Sequence, residues 1–333
     1  MSVLVIGGAG YIGSHTVRLL TQEGYDVWVY DNLSAGHRAA VPEGRLIEGE
    51  LADHDRLSQI MKDRQVSSVV HFAAFASVGE SVLHPAKYYQ NNVVASHSLL
   101  TAMLAADVGE IVFSSTTATY GVPETMPISE AAAQQPINPY GFTKLVIEQM
   151  LRDYQRAYGL RYAALRYFNA SGAAGDGSIG EDHRPETHLI PIILQVALGQ
   201  RGSVTIFGDD YPTPDGTCIR DYVHVDDLAA AHLAALRKIA ANATKSGDWL
   251  ELNLGTGKGH SVKAVLDACR QVSGHDITSV LGERRAGDPP ELVADPSLAR
   301  QRLHWQPEHV DLEGIVETAW RWHRDHPRGY GDA

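Results

Sequence analysis

The chain has 333 residues, more than one compact core usually supports, and its 44% hydrophobic and 20% charged residues exclude a disordered or fibrous class. A formal charge of −12, from 28 basic and 40 acidic side chains, argues against nucleic acid and anionic membrane as partners. Any anionic ligand then requires a few local arginines, and two cysteines, Cys218 and Cys269, exclude a disulfide scaffold and fit a reducing, cytoplasmic compartment.

Met1-Ser2-Val3-Leu4-Val5-Ile6 reaches glycine after a few apolar residues, which reads as a buried strand and not as a signal peptide. No apolar run is long enough to span a bilayer. Further apolar runs at 27–30, 68–72, 111–115 and 162–166 alternate with amphipathic stretches at 11–22, 53–64 and 95–106. Strands that are continuously apolar and separated by helices predict a doubly wound parallel sheet covered on both faces. Gly24 is placed as the C-terminal cap of the first helix. After residue 166 loops rich in Gly, Asp and Pro appear at 172–185, 208–216 and 282–290. The predicted division is a dinucleotide-binding unit over 1–168 and a smaller, loop-rich α/β unit over 169–333. A segment near 223–255, with a strand candidate at 251–254, is expected to return to the first unit.

The first strand runs into Gly7-Gly8-Ala9-Gly10-Tyr11-Ile12-Gly13 and then a helix. Glycines 7, 10 and 13 permit a tight turn and a close approach of backbone to a pyrophosphate, which the helix N-terminus attracts. Asp31 ends the second strand, where a carboxylate accepts hydrogen bonds from a ribose diol and repels a 2′-phosphate, so NAD is the expected cofactor.

Tyr140-Gly141-Phe142-Thr143-Lys144 opens a helical segment reaching about residue 158 and puts phenol and ammonium on one helix face. A free tyrosine, with a pKa of about 10, is a poor base at neutral pH. A neighbouring Lys⁺ together with an oxidised nicotinamide is expected to lower it. Upstream, Phe113-Ser114-Ser115-Thr116 ends a strand with hydroxyls at the carboxyl edge of the sheet. Glycine turn, ribose acid, Ser/Thr strand end and Tyr-xxx-Lys in this order constitute a dehydrogenase-type site.

With these residues the chain resembles the extended short-chain dehydrogenase/reductase superfamily and, within it, the C4 epimerases of UDP-hexoses. The likeness runs from Gly7 to Gly329-Tyr330 and includes His71-Phe72-Ala73-Ala74, Val78-Gly79-Glu80-Ser81, Tyr88-Tyr89-Gln90-Asn91-Asn92 and Arg166-Tyr167-Phe168-Asn169. It continues through Glu186-Thr187-His188-Leu189-Ile190-Pro191, the block from Ile206 to Tyr222, and Arg284-Arg285-Ala286-Gly287-Asp288. The resemblance implies a Rossmann-type fold and a redox cycle that begins and ends with NAD⁺. Tyr140 takes the 4-OH proton, Thr116 orients it, and Lys144 tunes the tyrosine. The implied NAD site comprises Gly7, Gly10, Tyr11, Ile12, Gly13, Asp31, Asn32, Phe72, Ala73, Ala74, Asn91, Ser114, Tyr140, Lys144 and Phe168, with Glu50 and Leu51 near the adenine. The implied UDP-sugar site comprises Thr116, Tyr140, Asn169, His188, Leu189, Phe207, Arg220, Tyr222, Arg285, Asp288 and Leu292. Arg220 and Arg285 are expected to meet the pyrophosphate. A homodimer through helices of the first unit, including the one bearing Tyr140, is implied as well.

Three positions depart from the enterobacterial form: Ala76 for lysine, Glu50 for aspartate and Thr116 for serine. A dehydratase of the same fold needs an acid/base pair after the threonine, and Thr117-Ala118 cannot supply one. Leu292 stands where glucose-restricted members carry tyrosine and N-acetyl-tolerant ones a small residue, so partial tolerance of an N-acetyl group is expected. A UDP-pentose epimerase and an NAD-binding protein without catalysis remain alternatives. Among other residues, Asp226-Asp227 is read as capping the following helix, His71 as packed, and Trp320-x-Trp322 as packing on the second unit. The sixteen histidines show no HExxH-type or paired spacing, so no metal is expected.

Overall fold

The computed structural model describes residues 1–241, 249–285 and 287–331. Its first half alternates strand and helix as the apolar runs predict: β1 (Ser2–Ile6), α1 (Tyr11–Gln22), β2 (Asp26–Asp31), β3 (Leu46–Glu48), α2 (His54–Asp63) and β4 (Val66–His71). Short helices α3 (Val78–Leu83) and α4 (Pro85–Tyr88) lead to α5 (Ala95–Ala105), β5 (Glu110–Thr116), α6 (Pro139–Tyr158) and β6 (Arg161–Tyr167). The predicted span of α1 coincides with the observed one. Asp53 caps α2 by accepting the Arg56 N–H, and Asn138 caps α6 by accepting that of Gly141. Gly24, at φ +82°, lies just beyond the end of α1 in the left-handed conformation that glycine tolerates. β3 escapes the sequence reading because three residues are too few to display a pattern.

β7 (Asn169–Ser171), α7 (Leu189–Ala197), β8 (Val204–Phe207) and β9 (Ile219–His224) follow, before α8 (Val225–Ala241) and β10 (Trp249–Leu254). β10 pairs in parallel with β6, so the strand candidate at 251–254 does return to the first sheet. That sheet has seven strands in the order β10-β6-β5-β4-β1-β2-β3. The chain leaves β1 towards β2 on one side and resumes at β4 on the other, which opens a crevice at the carboxyl ends of β1 and β4. The fold is a Rossmann-type doubly wound α/β sheet. One face is sealed by a core that includes Val17, Leu20, Leu228 and Leu236, the other by one that includes Leu57, Leu99, Met103 and Ile147. Fully buried apolar strands such as Val3-Leu4-Val5 follow from this double coverage.

The remainder builds a second layered unit from β11 (Gly259–Ser261), α9 (Val262–Ser273), β12 (Ser279–Gly282), β13 (Glu291–Leu292), α10 (Ser297–Leu303) and α11 (Leu312–Asp325). β7, β9, β11 and β13 form one small sheet, and β8 pairs with β12. Helices α7, α9 and α11 share a third core around Ile193, Val265, Val316 and Trp320. Among the described residues no helix is long and apolar enough to cross a membrane.

His71 is packed as expected, with Nε2 2.9 Å from Ser96 Oγ, and burial pushes its pKa down to about 3. Trp322 is buried and donates to Glu181 O at 3.0 Å. The reading of Asp226-Asp227 as helix caps needs correction. Asp226 lies 2.6 Å from His15 Nδ1 on α1, and Asp227 accepts the N–H groups of Glu308 and His309. The side chain serving the α8 N-terminus is His224, whose Nδ1 accepts the Asp226 N–H at 3.1 Å. Distant partners at α1 and at residues 308–309 claim both carboxylates, which adjacency in sequence could not reveal.

Candidate active site

The crevice opens into a single cavity of about 1090 Å³ whose wall contains every residue assigned from sequence to the cofactor and the sugar nucleotide. Ala286 of the Arg284-to-Asp288 motif lies outside the described residues.

At one end the β1–α1 turn supplies an anion cradle. Gly7 has φ +77°, and a Cβ there would stand 2.5 Å from Ala73 N. A Cβ on Gly13 would stand 2.2 Å from Gly7 O. No side chain caps α1, so its first N–H groups remain directed at the cavity. Tyr11 spends its hydroxyl on Gly172 O at 2.6 Å. Asp31 accepts N–H groups from Ala9 (3.0 Å) and Leu33 (2.8 Å), which orient the carboxylate while leaving lone pairs for a diol. Burial nevertheless raises its pKa. Asn32 donates to Glu50 at 3.0 Å on the rim, Leu51 lies behind it, and Asn91 Nδ2 donates to Asn92 Oδ1. Gly→Ala at position 13 is expected to weaken NAD binding by about one to two orders of magnitude, because backbone must move to relieve the clash. Nucleotide released from the denatured protein measures this.

At the centre, β5 ends in Thr116, whose Oγ1 accepts the Ala118 N–H at 3.2 Å and whose hydroxyl acts to lower the Tyr140 pKa. Lys144, one turn along α6, is buried and donates to Ser114 O at 2.8 Å. Its Nζ lies 6.0 Å from the Tyr140 ring centre. The expected lowering of the tyrosine pKa is not found among the protein's own groups. Burial raises the phenol against the pull of Thr116, and burial pushes Lys144 down to about 7 against the Glu148 carboxylate. For both residues desolvation at the cavity floor is the larger cause.

Tyr167, which the sequence reading did not assign, lines the same floor and hydrogen-bonds Ser114 Oγ. Its place at the end of β6, level with Thr116 in the β5–β6 register, is a tertiary fact. Thr117 and Ala118 line the wall beside Thr116.

The far end is built by the second unit. His188 occupies the N-cap position of α7 without a side-chain cap bond, so the α7 N-terminus faces the cavity next to Leu189. Asn169 Nδ2 donates to Asp221 O at 3.0 Å, and Tyr222 is buried behind it. Leu292 pairs with Arg220 in the β13–β9 register. Arg285 lies 4.1 Å over the Phe207 ring. Of the two expected arginines, Arg285 makes no ion pair among the described residues. Arg220 is bound to Asp288 and to the carbonyls of Ile219 and Pro289. The lining carries five Lys or Arg side chains (Lys87, Lys144, Arg201, Arg220 and Arg285) against five carboxylates (Asp31, Glu50, Glu181, Glu186 and Asp288). The cavity is thus near neutral in a chain of charge −12, and Arg201, Arg220 and Arg285 in its wall supply the local arginines an anionic ligand requires.

The sequence reading found no metal-type spacing, yet the fold gathers four candidate ligands. Glu181, His183, Glu186 and His188 converge so that one ligand atom from each lies within 4.8 Å of the others. The signal was present as Glu-x-His-x-x-Glu-x-His, a loop pattern unlike a helical HExxH.

Residues 3–255 match the model of the NAD dependent epimerase/dehydratase family. A UDP-glucose 4-epimerase of Halalkalibacterium halodurans is 53% identical over 330 residues, covering 99% of this chain and 98% of its own. A crystal structure of UDP-glucose 4-epimerase from Brucella ovis in complex with NAD is 52% identical with a TM-score of 0.92, covering 96% and 97%. One from Bifidobacterium longum in complex with NAD⁺ and UDP is 36% identical with a TM-score of 0.93, covering 99% and 100%. With this identity sustained over nearly its full length, the chain belongs to the UDP-glucose 4-epimerase group of the NAD dependent epimerase/dehydratase family.

Proposed function

We propose that the protein interconverts UDP-galactose and UDP-glucose, with NAD as a retained cofactor. The observation that carries this reading is one continuous cavity. It joins a glycine-lined, uncapped helix N-terminus to the Thr116–Tyr140–Lys144 cluster and then to the α7 N-terminus and Arg285. The close approaches at Gly7 and Gly13 and the backbone-oriented Asp31 fit a dinucleotide with a free ribose diol. When bound, NAD supplies reversible hydride acceptance and a positive charge at its nicotinamide. Tyr140 removes the proton from the sugar 4-OH and later returns it to the opposite face, with Thr116 aligning the transfer. Lys144, anchored on Ser114 O, stands beneath the ring and favours the phenolate while it is protonated. Thr117 and Ala118 offer no acid/base group beside Thr116, which supports inversion and not elimination of water.

The test is incubation with UDP-galactose without added NAD. UDP-glucose is the expected product, and its absence even with NAD supplied would sink the proposal.

Leu292, half-buried on β13 in the cavity wall, supports a second substrate. Its bulk lies between tyrosine and a small residue, so slow conversion of UDP-N-acetylglucosamine is expected. No detectable conversion at high enzyme concentration would refute this.

Exposed Tyr89, Val94, Leu104 and Phe142, on or beside α5 and α6, support a homodimer through these helices. Two free, buried cysteines support a cytoplasmic location.

A further inference from the structure

We propose that Glu181, His183, Glu186 and His188 bind one divalent transition metal of the zinc class, which ties the 172–188 loop to the start of α7. Two observations carry the inference independently.

The first is geometric. His188 Nδ1 lies 2.9 Å from Glu181 Oε1 and 2.9 Å from Glu186 Oε1. His183 Nδ1 lies 3.2 Å from Glu181 Oε1 and 3.8 Å from Glu186 Oε2. Tetrahedral coordination with metal–ligand bonds of about 2.0–2.2 Å has edges of about 3.3–3.6 Å; the four His–Glu separations span 2.9 to 3.8 Å and all four ligand atoms lie within 4.8 Å of one another, so a small contraction around one ion completes the site. Two imidazoles and two carboxylates are the donor set that zinc accepts.

The second is a missing partner. His183 Nδ1 is shielded from solvent and makes no hydrogen bond, although a carboxylate oxygen is close. Its direction does not suit a proton shared with that oxygen. Of the two carboxylates, Glu186 accepts backbone N–H groups, whereas Glu181 has the nitrogens of His183 and His188 as its near neighbours. Glu181 and Glu186 are 4% and 7% exposed and face each other across the histidines, and the one hydrogen on His188 Nδ1 cannot be directed fully at both. A divalent cation between the four groups removes the carboxylate repulsion and uses the idle nitrogen. The Glu186 carboxylate is already aimed by the N–H groups of Thr187 and His188, the outer support that metal ligands require.

The site lies in the cavity wall beside α1, with the Tyr11 ring 6.3 Å from that of His183. A metal here fastens the loop that receives the Tyr11 hydroxyl at Gly172 O.

The experiment uses the untagged full chain after treatment with a chelator, titrated with Co²⁺ alone. One equivalent is expected to give the intense visible d–d absorption of a tetrahedral site, to be bleached by one equivalent of Zn²⁺, and to raise Tm. His183→Asn and Glu186→Gln, with folding checked by far-UV circular dichroism, should each weaken binding by about a hundredfold or more, since loss of even an outer-shell partner costs up to about that much. Absence of stoichiometric binding by the unmodified chain overturns the proposal whether or not the variants fold. Unchanged binding in folded variants also overturns it, by placing the metal elsewhere.

Discussion

Replacing Tyr140 by Phe is expected to lower turnover of UDP-galactose by about two to four orders of magnitude while the cofactor stays bound. The substitution removes one oxygen from the cavity floor and leaves the ring, the α6 backbone and the Lys144 bond to Ser114 O in place. Thr116 then orients a proton without the phenolate that would receive it, and neither Thr117 nor Ala118 beside it is basic. Steady-state kinetics with UDP-galactose, beside NAD content of the purified variant, separates chemistry from binding. The wild type should also gain kcat/KM as pH rises from the acid side. Burial holds the phenol above its ordinary pKa, so its base form is scarce at low pH and grows as protons are withdrawn. Undiminished turnover in the phenylalanine variant would exclude the tyrosine as the proton carrier.

Arg166→Met is expected to cost about 3–5 kcal/mol of stability, read from the midpoint of urea unfolding. Arg166, 1% exposed near the carboxyl end of β6, donates through Nε and Nη2 to Glu148 at 2.9 and 2.6 Å and to Glu251 at 2.7 Å. Glu148 is wholly buried on α6, and Glu251 lies on β10. Removing the guanidinium leaves two close carboxylates with Arg152 as their remaining cation among the described residues, at 3.3 Å from Glu148 and 2.6 Å from Glu251. Adding Glu148→Gln to the variant should restore part of the loss by removing the buried charge. If the single variant matches the wild type within about 0.5 kcal/mol, the network is not what holds these strands together. Catalysis should suffer too. Glu148 lies two turns beyond Tyr140 and accepts from Ser115 Oγ at 2.5 Å, so the same network sets α6 on the strand that carries Thr116.

How far the sequence was legible depended on whether a signal was local. The first sheet could be read because each strand is apolar along its length and each helix carries its own period and caps, as in Asp53 and Asn138. The glycine turn announced its anion cradle because the φ at Gly7 and the approach at Gly13 are properties of a seven-residue stretch. Asp226-Asp227 failed for the opposite reason. Helix capping is the local default for acids at that position, and only the third dimension brings His15 and residues 308–309 within reach.

The sequence alone therefore determined the fold class, the preference for NAD and the order of the catalytic residues, since each depends on neighbours within a few positions or on a single strand-end side chain. Tertiary structure decided the electrostatics. The same fold that brings Tyr140 and Lys144 to one cavity floor also strips their water, so both are pushed towards neutrality in place of the simple pairing their i, i+4 spacing suggests. It also decided that Arg220 is bound to Asp288 while Arg285 faces the cavity without an ion pair among the described residues. Spacing along a chain can place charges on one face of a helix. It cannot give the burial that sets their protonation, because burial is supplied by every other element at once.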